Sequence, residues 1–204
     1  MSAIPARRRR IAVKTALWIA CLWPAASLGL AALTDGLGAN PIEEITHRTG
    51  WWALFLLTAT LSITPARRLS GNPSWVQYRR LVGLFAFFYA SLHFLTYLVL
   101  DQFFGWTYIL EDIAKRPFIT VGFAGWLILA ALALTSTTGW IRRLRKNWAR
   151  LHRLVYVAAL AGGVHFLWKV KADAREPLMF LAVIIGLLAI RAWAPWNRWA
   201  KRPG

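Results

Sequence analysis

Long apolar segments separated by short polar ones are the feature of this 204-residue sequence that most constrains its fold. A helix needs about 20 residues, rising 1.5 Å each, to cross the apolar core of a bilayer. Five segments meet this length within tolerance, and a sixth, with its apolar core at 51–63, meets it if its helix begins near Ile42. The six predicted spans are 15–33, 42–63, 81–100, 118–134, 151–170 and 178–194. The sequence therefore predicts an all-α integral membrane protein, a bundle of six transmembrane helices.

The predicted spans divide the chain into three parts. A basic cytoplasmic N-terminus covers 1–14, the membrane domain covers 15–194, and a C-terminal tail covers 195–204. Helices can stop at prolines without harm, and five prolines lie at or between the predicted span ends. They are Pro65, Pro73, Pro117, Pro177 and Pro195.

The charged residues predict the orientation of the bundle. The sequence is 58% hydrophobic and only 16% charged, yet its net charge is +17, whereas a soluble domain usually has about 25% charged residues. With the N-terminus in the cytoplasm, nineteen of the 25 Lys and Arg residues fall on the cytoplasmic side and all eight acids on the other, which gives +19 and −2. Because Lys and Arg favour cytoplasmic loops, both termini are predicted to be cytoplasmic. The positive charge then reflects topology, and no nucleic-acid partner is expected.

Two of the four histidines are predicted to lie at one depth in the membrane. His93 follows Arg80 by 13 residues in the third span, and His165 follows Arg153 by 12 in the fifth, so each lies roughly 18–20 Å from a cytoplasmic anchor. Ionisable side chains are costly inside a bilayer and are functional candidates. Two neutral imidazoles on separate helices can bind one haem iron from its two faces, although a lone membrane histidine is often a packing residue. His47, at the outer interface before the apolar core of the second span, is interpreted as having no functional role.

His152 opens the fifth helix, 13 residues before His165, and so lies about 20 Å closer to the cytoplasm. That depth suits a second redox site. The residue of the third helix at the depth of His152 would be Arg79 or Arg80. Either arginine could contact a haem propionate, a flavin phosphate or an iron. The alternatives are a membrane anchor for the arginines and a lipid-headgroup contact for His152.

Several other kinds of chemistry are excluded by the sequence. It has no Gly-rich phosphate loop, no Ser/His/Asp arrangement, no Cys/His zinc spacing and no Cys-x-x-Cys-His motif for covalent haem attachment. A reductase with its own flavin and nicotinamide domains needs a long soluble extension, so we expect a separate electron donor and acceptor. The rival functions are a stand-alone ferric or oxygen reductase and a non-redox transporter or assembly protein. A non-redox transporter or assembly protein does not need two histidines at one depth.

A series of short motifs resembles the ferric-reductase-like transmembrane family. They are Thr49-Gly-Trp-Trp-Ala-Leu, Thr64-Pro-Ala-Arg-Arg-Leu, Arg79-Arg-Leu-Val-Gly-Leu, Tyr89-Ala-Ser-Leu-His-Phe, Arg116-Pro-Phe-Ile-Thr-Val-Gly, Thr135-Ser-Thr-Thr-Gly-Trp and Trp148-Ala-Arg-Leu-His-Arg-Leu-Val-Tyr, with His165 downstream. Each motif alone is weak, but together and in order they cover nearly the whole chain. Within this family, the chain looks most like the haem-binding membrane subunits of bacterial periplasmic protein-methionine-sulfoxide reductase systems.

The resemblance implies one or two b-type haems, with His93, His165 and His152 as haem-associated residues, Arg79 and Arg80 beside them, and FMN as a further cofactor. It implies a multi-pass electron-transfer subunit of the bacterial inner membrane, which takes electrons from the quinone pool or a cytosolic flavin reductase. The acceptor would be a periplasmic molybdopterin enzyme that forms a heterodimer with this chain, carries the catalytic site, and reduces methionine sulfoxide to repair periplasmic proteins. Larger relatives place two histidines on each of two helices, whereas this sequence has an arginine at the fourth position.

Overall fold

The computed structural model describes the backbone of residues 6–200 and the side chains of residues 7–193, and the regular structure of this part is helical. Within it, nine α-helices are α1 Ala6–Leu33, α2 Pro41–Ser70, α3 Val76–Leu95, α4 Trp106–Lys115, α5 Pro117–Leu134, α6 Thr138–Leu144, α7 Lys146–Leu151, α8 Val155–Lys169 and α9 Arg175–Ala200. A 3-10 turn at Pro73–Trp75 precedes α3, a π-helix at Thr96–Asp101 extends it, and a second 3-10 turn at His152–Leu154 joins α7 to α8. The predicted terminal segments lie partly outside the described residues, at 1–5 and 201–204.

Five helical stretches of the described residues are long and apolar enough to cross a membrane. They are Arg7–Leu33, Pro73–Asp101, Pro117–Leu134, Lys146–Lys169 and Arg175–Trp193. These stretches correspond to the predicted first, third, fourth, fifth and sixth spans, and confirm the all-α class. Helix α2, the predicted second span, has 30 residues but is not among the five, so a sixth span stays a prediction. Helix α9 continues through Pro195, so the predicted tail begins as helix.

Pro65 does not end α2, and the sequence prediction of a stop there is wrong. The helix continues to Ser70 and is followed by Gly71 in the left-handed conformation, with φ 65°. Because proline has no N–H, the carbonyl of Leu61, one turn earlier, loses its helical partner. Nη2 of Arg191 in α9 donates to that carbonyl at 3.0 Å. A side chain from another helix thus satisfies the backbone group that the proline leaves free.

This contact predicts a coupled effect on stability. Arg191→Met leaves the Leu61 carbonyl without its partner, which we expect to cost about 1–3 kcal/mol. Pro65→Ala restores an N–H one turn after Leu61, so the same Arg191 change should cost less in that background. Thermal unfolding of the four proteins in detergent measures the coupling. Equal losses in both backgrounds would place the main role of Arg191 elsewhere, for example at the Tyr156 hydroxyl to which its Nη1 donates.

Tyr89 of α3 links α1 to the bundle through hydrogen bonds. Its side chain is 1% exposed, and its hydroxyl donates to the carbonyl of Cys21 at 2.7 Å and accepts the N–H of Ala25 at 3.0 Å. In an uninterrupted helix, the N–H of Ala25 would donate to the carbonyl of Cys21. Here the Tyr89 hydroxyl lies between these two groups and bonds to both, in the turn of α1 that contains Pro24. Cys21 itself is buried in the hydrophobic core.

Two antiparallel helix pairs, α2 with α3 and α5 with α8, form the centre of the bundle, and α9 packs against α8 and α2. The acidic residues all belong to one end of this bundle, which we call the acidic end; it comprises residues 34–48, 101–117 and 169–177. The opposite end, where α2 finishes and α8 begins, is called the basic end.

Candidate functional site

A cavity of about 350 Å³ lies between α2, α3, α5 and α8, in the half of the bundle nearer the acidic end. His93 and His165 both line it, with their ring centroids 5.9 Å apart and their planes at 82°. With an imidazole–metal bond of about 2 Å, two rings on opposite sides of one ion have centres roughly 6 Å apart. The separation of the two rings therefore suits a shared metal ion.

Both imidazoles are held by backbone carbonyls. Nδ1 of His93 lies 2.9 Å from the carbonyl oxygen of Thr46, and Nδ1 of His165 lies 2.7 Å from that of Phe118. A carbonyl oxygen only accepts, so each Nδ1 carries the proton and donates it, and each Nε2 keeps its lone pair. A hydrogen bond of this kind sets the tautomer and ring orientation of a metal-binding histidine. Each ring is therefore prepared to bind a metal through Nε2.

Each ring also lies against a glycine of the neighbouring helix. A Cβ on Gly50 of α2 would lie 3.0 Å from Nδ1 of His93, and a Cβ on Gly122 of α5 would lie 2.5 Å from Nδ1 of His165. Both glycines precede their histidines by 43 residues, and both accepting carbonyls precede them by 47. The α2–α3 and α5–α8 pairs thus supply two equivalent half-sites, each made of a carbonyl, a glycine and an imidazole.

Gly162 and Gly163, which precede His165 by three and two residues in the sequence, have different surroundings. Gly162 lines the cavity, where an added Cβ would lie 3.2 Å from Cδ1 of Leu54. Gly163 faces α9 instead, where an added Cβ would lie 2.5 Å from Cδ2 of Leu181. Only Gly162 can therefore help a flat ligand to approach, and Gly163 serves the packing of α8 on α9.

An aromatic cluster forms the wall of the cavity between α3 and α5. The ring of Trp126 stacks on Phe94 with centroids 4.6 Å apart and on Phe123 with centroids 6.0 Å apart. Nε1 of Trp126 donates to Oγ of Ser91 at 3.2 Å. The indole N–H is thus satisfied by a residue that does not line the cavity. The result is an apolar wall of stacked rings, a surface that suits a planar ligand.

The cavity is apolar at its deep end and polar at its mouth. Its deep end is lined by Leu57, Leu129 and Ala158. The polar residues gather at the mouth, at the acidic end of the bundle; they are His47, Tyr97, Asp101, Arg116 and Lys169. His47, for which no role was expected, is one of them and also contacts Phe166, with ring centroids 5.9 Å apart. A ligand that fits this space is mostly apolar and carries its polar groups at one edge.

The remaining predicted site residues, His152, Arg79 and Arg80, do not line this cavity. His152 lies in the 3-10 turn before α8, stacked on Trp148 with centroids 4.0 Å apart, and its Nε2 is 3.2 Å from Oγ1 of Thr135. Arg79 is half-buried, whereas Arg80 is exposed. Of the two arginines, Arg79 is therefore the one with a side chain partly inside the bundle.

Gly50, Gly122, Arg116 and Lys169 line the cavity but were not predicted as site residues from the sequence. The repeated 43-residue spacing between glycine and histidine is visible in the sequence, but only once the two histidines are compared as a pair. Lys169 follows His165 by four residues, so it lies on the same helix face one turn further on.

Comparison with known proteins gives a family match and close relatives. The model of the family described as "Ferric reductase like transmembrane component" matches residues 49–163, a segment that ends two residues before His165. A "Protein-methionine-sulfoxide reductase heme-binding subunit MsrQ" from Xanthomonas campestris pv. campestris (strain 8004) is 51% identical over 189 residues, which are 90% of this chain and 87% of the relative. A protein of the same name from Xanthomonas axonopodis pv. citri (strain 306) shows the same identity and coverage.

A third relative of that name, from Herminiimonas arsenicoxydans, is 49% identical over 192 residues, which are 93% of this chain and 88% of the relative. No solved structure is significantly similar to the chain.

Proposed function

The chain belongs to the ferric-reductase-like transmembrane family and, within it, to the MsrQ heme-binding subunits, and from this membership we propose that it is a haem-binding electron-transfer subunit of a protein-methionine-sulfoxide reductase. The pair formed by His93 and His165 carries the proposal. Their rings lie 5.9 Å apart on separate helices, and each Nε2 is left to bind a metal. His93 and His165 would hold the iron of a b-type haem through these nitrogens, and the haem would supply one-electron redox chemistry when bound.

The residues around the pair support a planar macrocycle in particular. Gly50 and Gly122 leave room where a side chain would press on the imidazoles. The cavity volume of about 350 Å³ falls within the roughly 300–1,000 Å³ of small-molecule sites. The apolar deep end and the rings around Trp126 exclude water, and such burial is one of the means by which a protein sets a haem potential.

We propose six membrane spans, with α2 as the second and with both termini in the cytoplasm. Hydroxyl groups lower the hydropathy of α2, but Thr58, Thr60 and Ser62 each donate to a carbonyl one turn earlier in the same helix. A polar group satisfied within its own helix is compatible with an apolar surrounding. The charges of +19 and −2 that the sequence assigns to the two sides of the predicted topology favour a periplasmic acidic end in the inner membrane of a bacterium.

With that orientation, the His93–His165 pair lies nearer the periplasm and His152 nearer the cytoplasm. We therefore assign the pair to the exit of electrons, towards a periplasmic molybdopterin-containing catalytic subunit that forms a heterodimer with this chain and repairs oxidised methionines. His152 and Arg79 would serve the entry side, as part of a second haem site or an FMN site supplied by the quinone pool or a cytosolic flavin reductase. Arg80, which is exposed, suits a phosphate or a lipid headgroup there.

A dithionite-reduced minus oxidised spectrum of the purified full chain tests the proposal. We expect the absorption bands of a low-spin b-type haem. A protein that is folded and monodisperse but shows no haem spectrum would contradict the electron-transfer function and favour a transporter or assembly role. Ferric-chelate reduction without any partner protein would favour a stand-alone reductase instead.

A further inference from the structure

We infer that Lys169 and Arg116 bind the carboxylates of the macrocycle at the mouth of the cavity, so that the carboxylate edge faces the acidic end of the bundle. This inference rests on the proposed function, because it concerns the orientation of the haem. It starts from the polarity of the cavity, which changes along the axis of the bundle. On α2, the lining residues run from Thr46 at the mouth to Leu57 at the deep end, a rise of roughly 16 Å.

Lys169 is placed to reach a ligand held by His165. It is the last residue of α8 and follows the histidine by one turn on the same face. Its side chain lines the cavity, and among the residues whose side chains the structure describes, none provides a carboxylate within 4.0 Å of it. Its long apolar stem can pack along the cavity rim while the ammonium group stays at the surface.

Arg116 is held at the same mouth by a buried acid. Its Nε lies 3.0 Å from Oδ1 of Asp112, whose side chain is 12% exposed. Oδ2 of Asp112 accepts from the hydroxyl of Tyr97 at 3.0 Å and from Nε2 of Gln102 at 3.4 Å. The ion pair uses Nε, so the two Nη groups of Arg116 remain to donate to an anion. The acid therefore acts as a positioning residue for the arginine.

The opposite orientation would place carboxylates among Leu57, Leu129 and Ala158, which provide no side-chain hydrogen-bond donor. Burial of a carboxylate without such partners is costly. One carboxylate, Asp101, also lines the mouth. It is exposed and accepts from Gln102 at 3.3 Å, so solvent screens its repulsion of an anion. Two cations at the mouth, one for each carboxylate of a haem, therefore favour the outward orientation.

Variants of the full chain, purified with haem, test the orientation. Lys169→Gln and Arg116→Gln should keep the b-type spectrum, shift the propionate-bending band in the resonance Raman spectrum, and lower the midpoint potential. The potential should fall because a nearby cation favours the reduced haem, which carries one positive charge less. The double variant should show a larger Raman shift than either single variant and should lose haem more readily on dilution.

Lys171→Gln is the matched control, since it removes a cation of the same end that does not line the cavity. Lys169→Arg keeps the charge and should leave the Raman band near its wild-type position. A Raman band that is the same in Lys169→Gln, Arg116→Gln and Lys171→Gln would overturn the inferred orientation while the haem spectrum upholds the proposed function. Absence of haem from the wild-type protein would instead overturn the proposed function itself.

Discussion

Replacing His93 or His165 with alanine is expected to remove the haem that we propose to bind between α3 and α8. Each imidazole lines the cavity and is fixed by a carbonyl on its Nδ1, which leaves Nε2 to bind a metal. Loss of a residue that merely supports a metal ligand costs about 10–100-fold in affinity, so loss of a ligand should cost at least as much. Pyridine haemochrome analysis of the purified variants measures the remaining haem.

His152→Ala and His47→Ala are the controls for this result. His152 lies outside the cavity, and His47 lines its mouth without belonging to the imidazole pair, so both variants should keep the haem of the His93–His165 site. If the protein binds a second haem near His152, that variant should lose only this second fraction. Equal loss of all haem in the four variants would contradict the assignment and indicate a general effect on folding.

The helices that match the predicted spans could be found from the sequence because length and hydropathy are local properties. Helix α2 was harder to predict, since its hydroxyl residues lower its hydropathy but bond to its own backbone. Where α2 continues through Pro65, the free carbonyl of Leu61 is satisfied by Arg191, which lies 130 residues later in the chain. A contact between such distant positions cannot be derived from a local pattern.

The two histidines at one depth could be predicted because depth follows from the number of residues after a basic anchor. Their closeness in the bundle could not, since it depends on which faces of α3 and α8 meet. The same limit applies to Gly50 and Gly122, whose roles are visible only once the packing of the helix pairs is known. Whether His152, Arg79 and Arg80 form a second site stays a prediction.

Gly122→Ala is expected to disturb the haem site almost as strongly as the loss of a histidine. The new methyl carbon would lie 2.5 Å from Nδ1 and 2.8 Å from Cε1 of His165, far inside the roughly 3.5–4 Å of an ordinary contact. The ring cannot retreat freely, because its Nδ1 donates to Phe118 at 2.7 Å. Metal sites tolerate displacements of only about 0.5 Å, so haem affinity should fall by about 10–100-fold. Gly50→Ala should have a smaller effect, since its methyl would lie 3.0 Å from Nδ1 of His93.

Gly163→Ala separates an effect on the imidazole from an effect of crowding. Its methyl would also lie 2.5 Å from its nearest neighbour, but that neighbour is the flexible end of Leu181. We expect a stability loss of roughly 1–3 kcal/mol with an unchanged haem spectrum. In the haem that Gly122→Ala retains, the electron paramagnetic resonance spectrum should change, because it responds to the angle between the axial imidazole planes, 82° in the structure. Because alanine is a better helix former than glycine, a weakened helix would not explain haem loss in these variants. Haem loss confined to Gly122→Ala and Gly50→Ala would therefore identify these glycines as positioning residues. Equal haem loss in Gly163→Ala would refute that role.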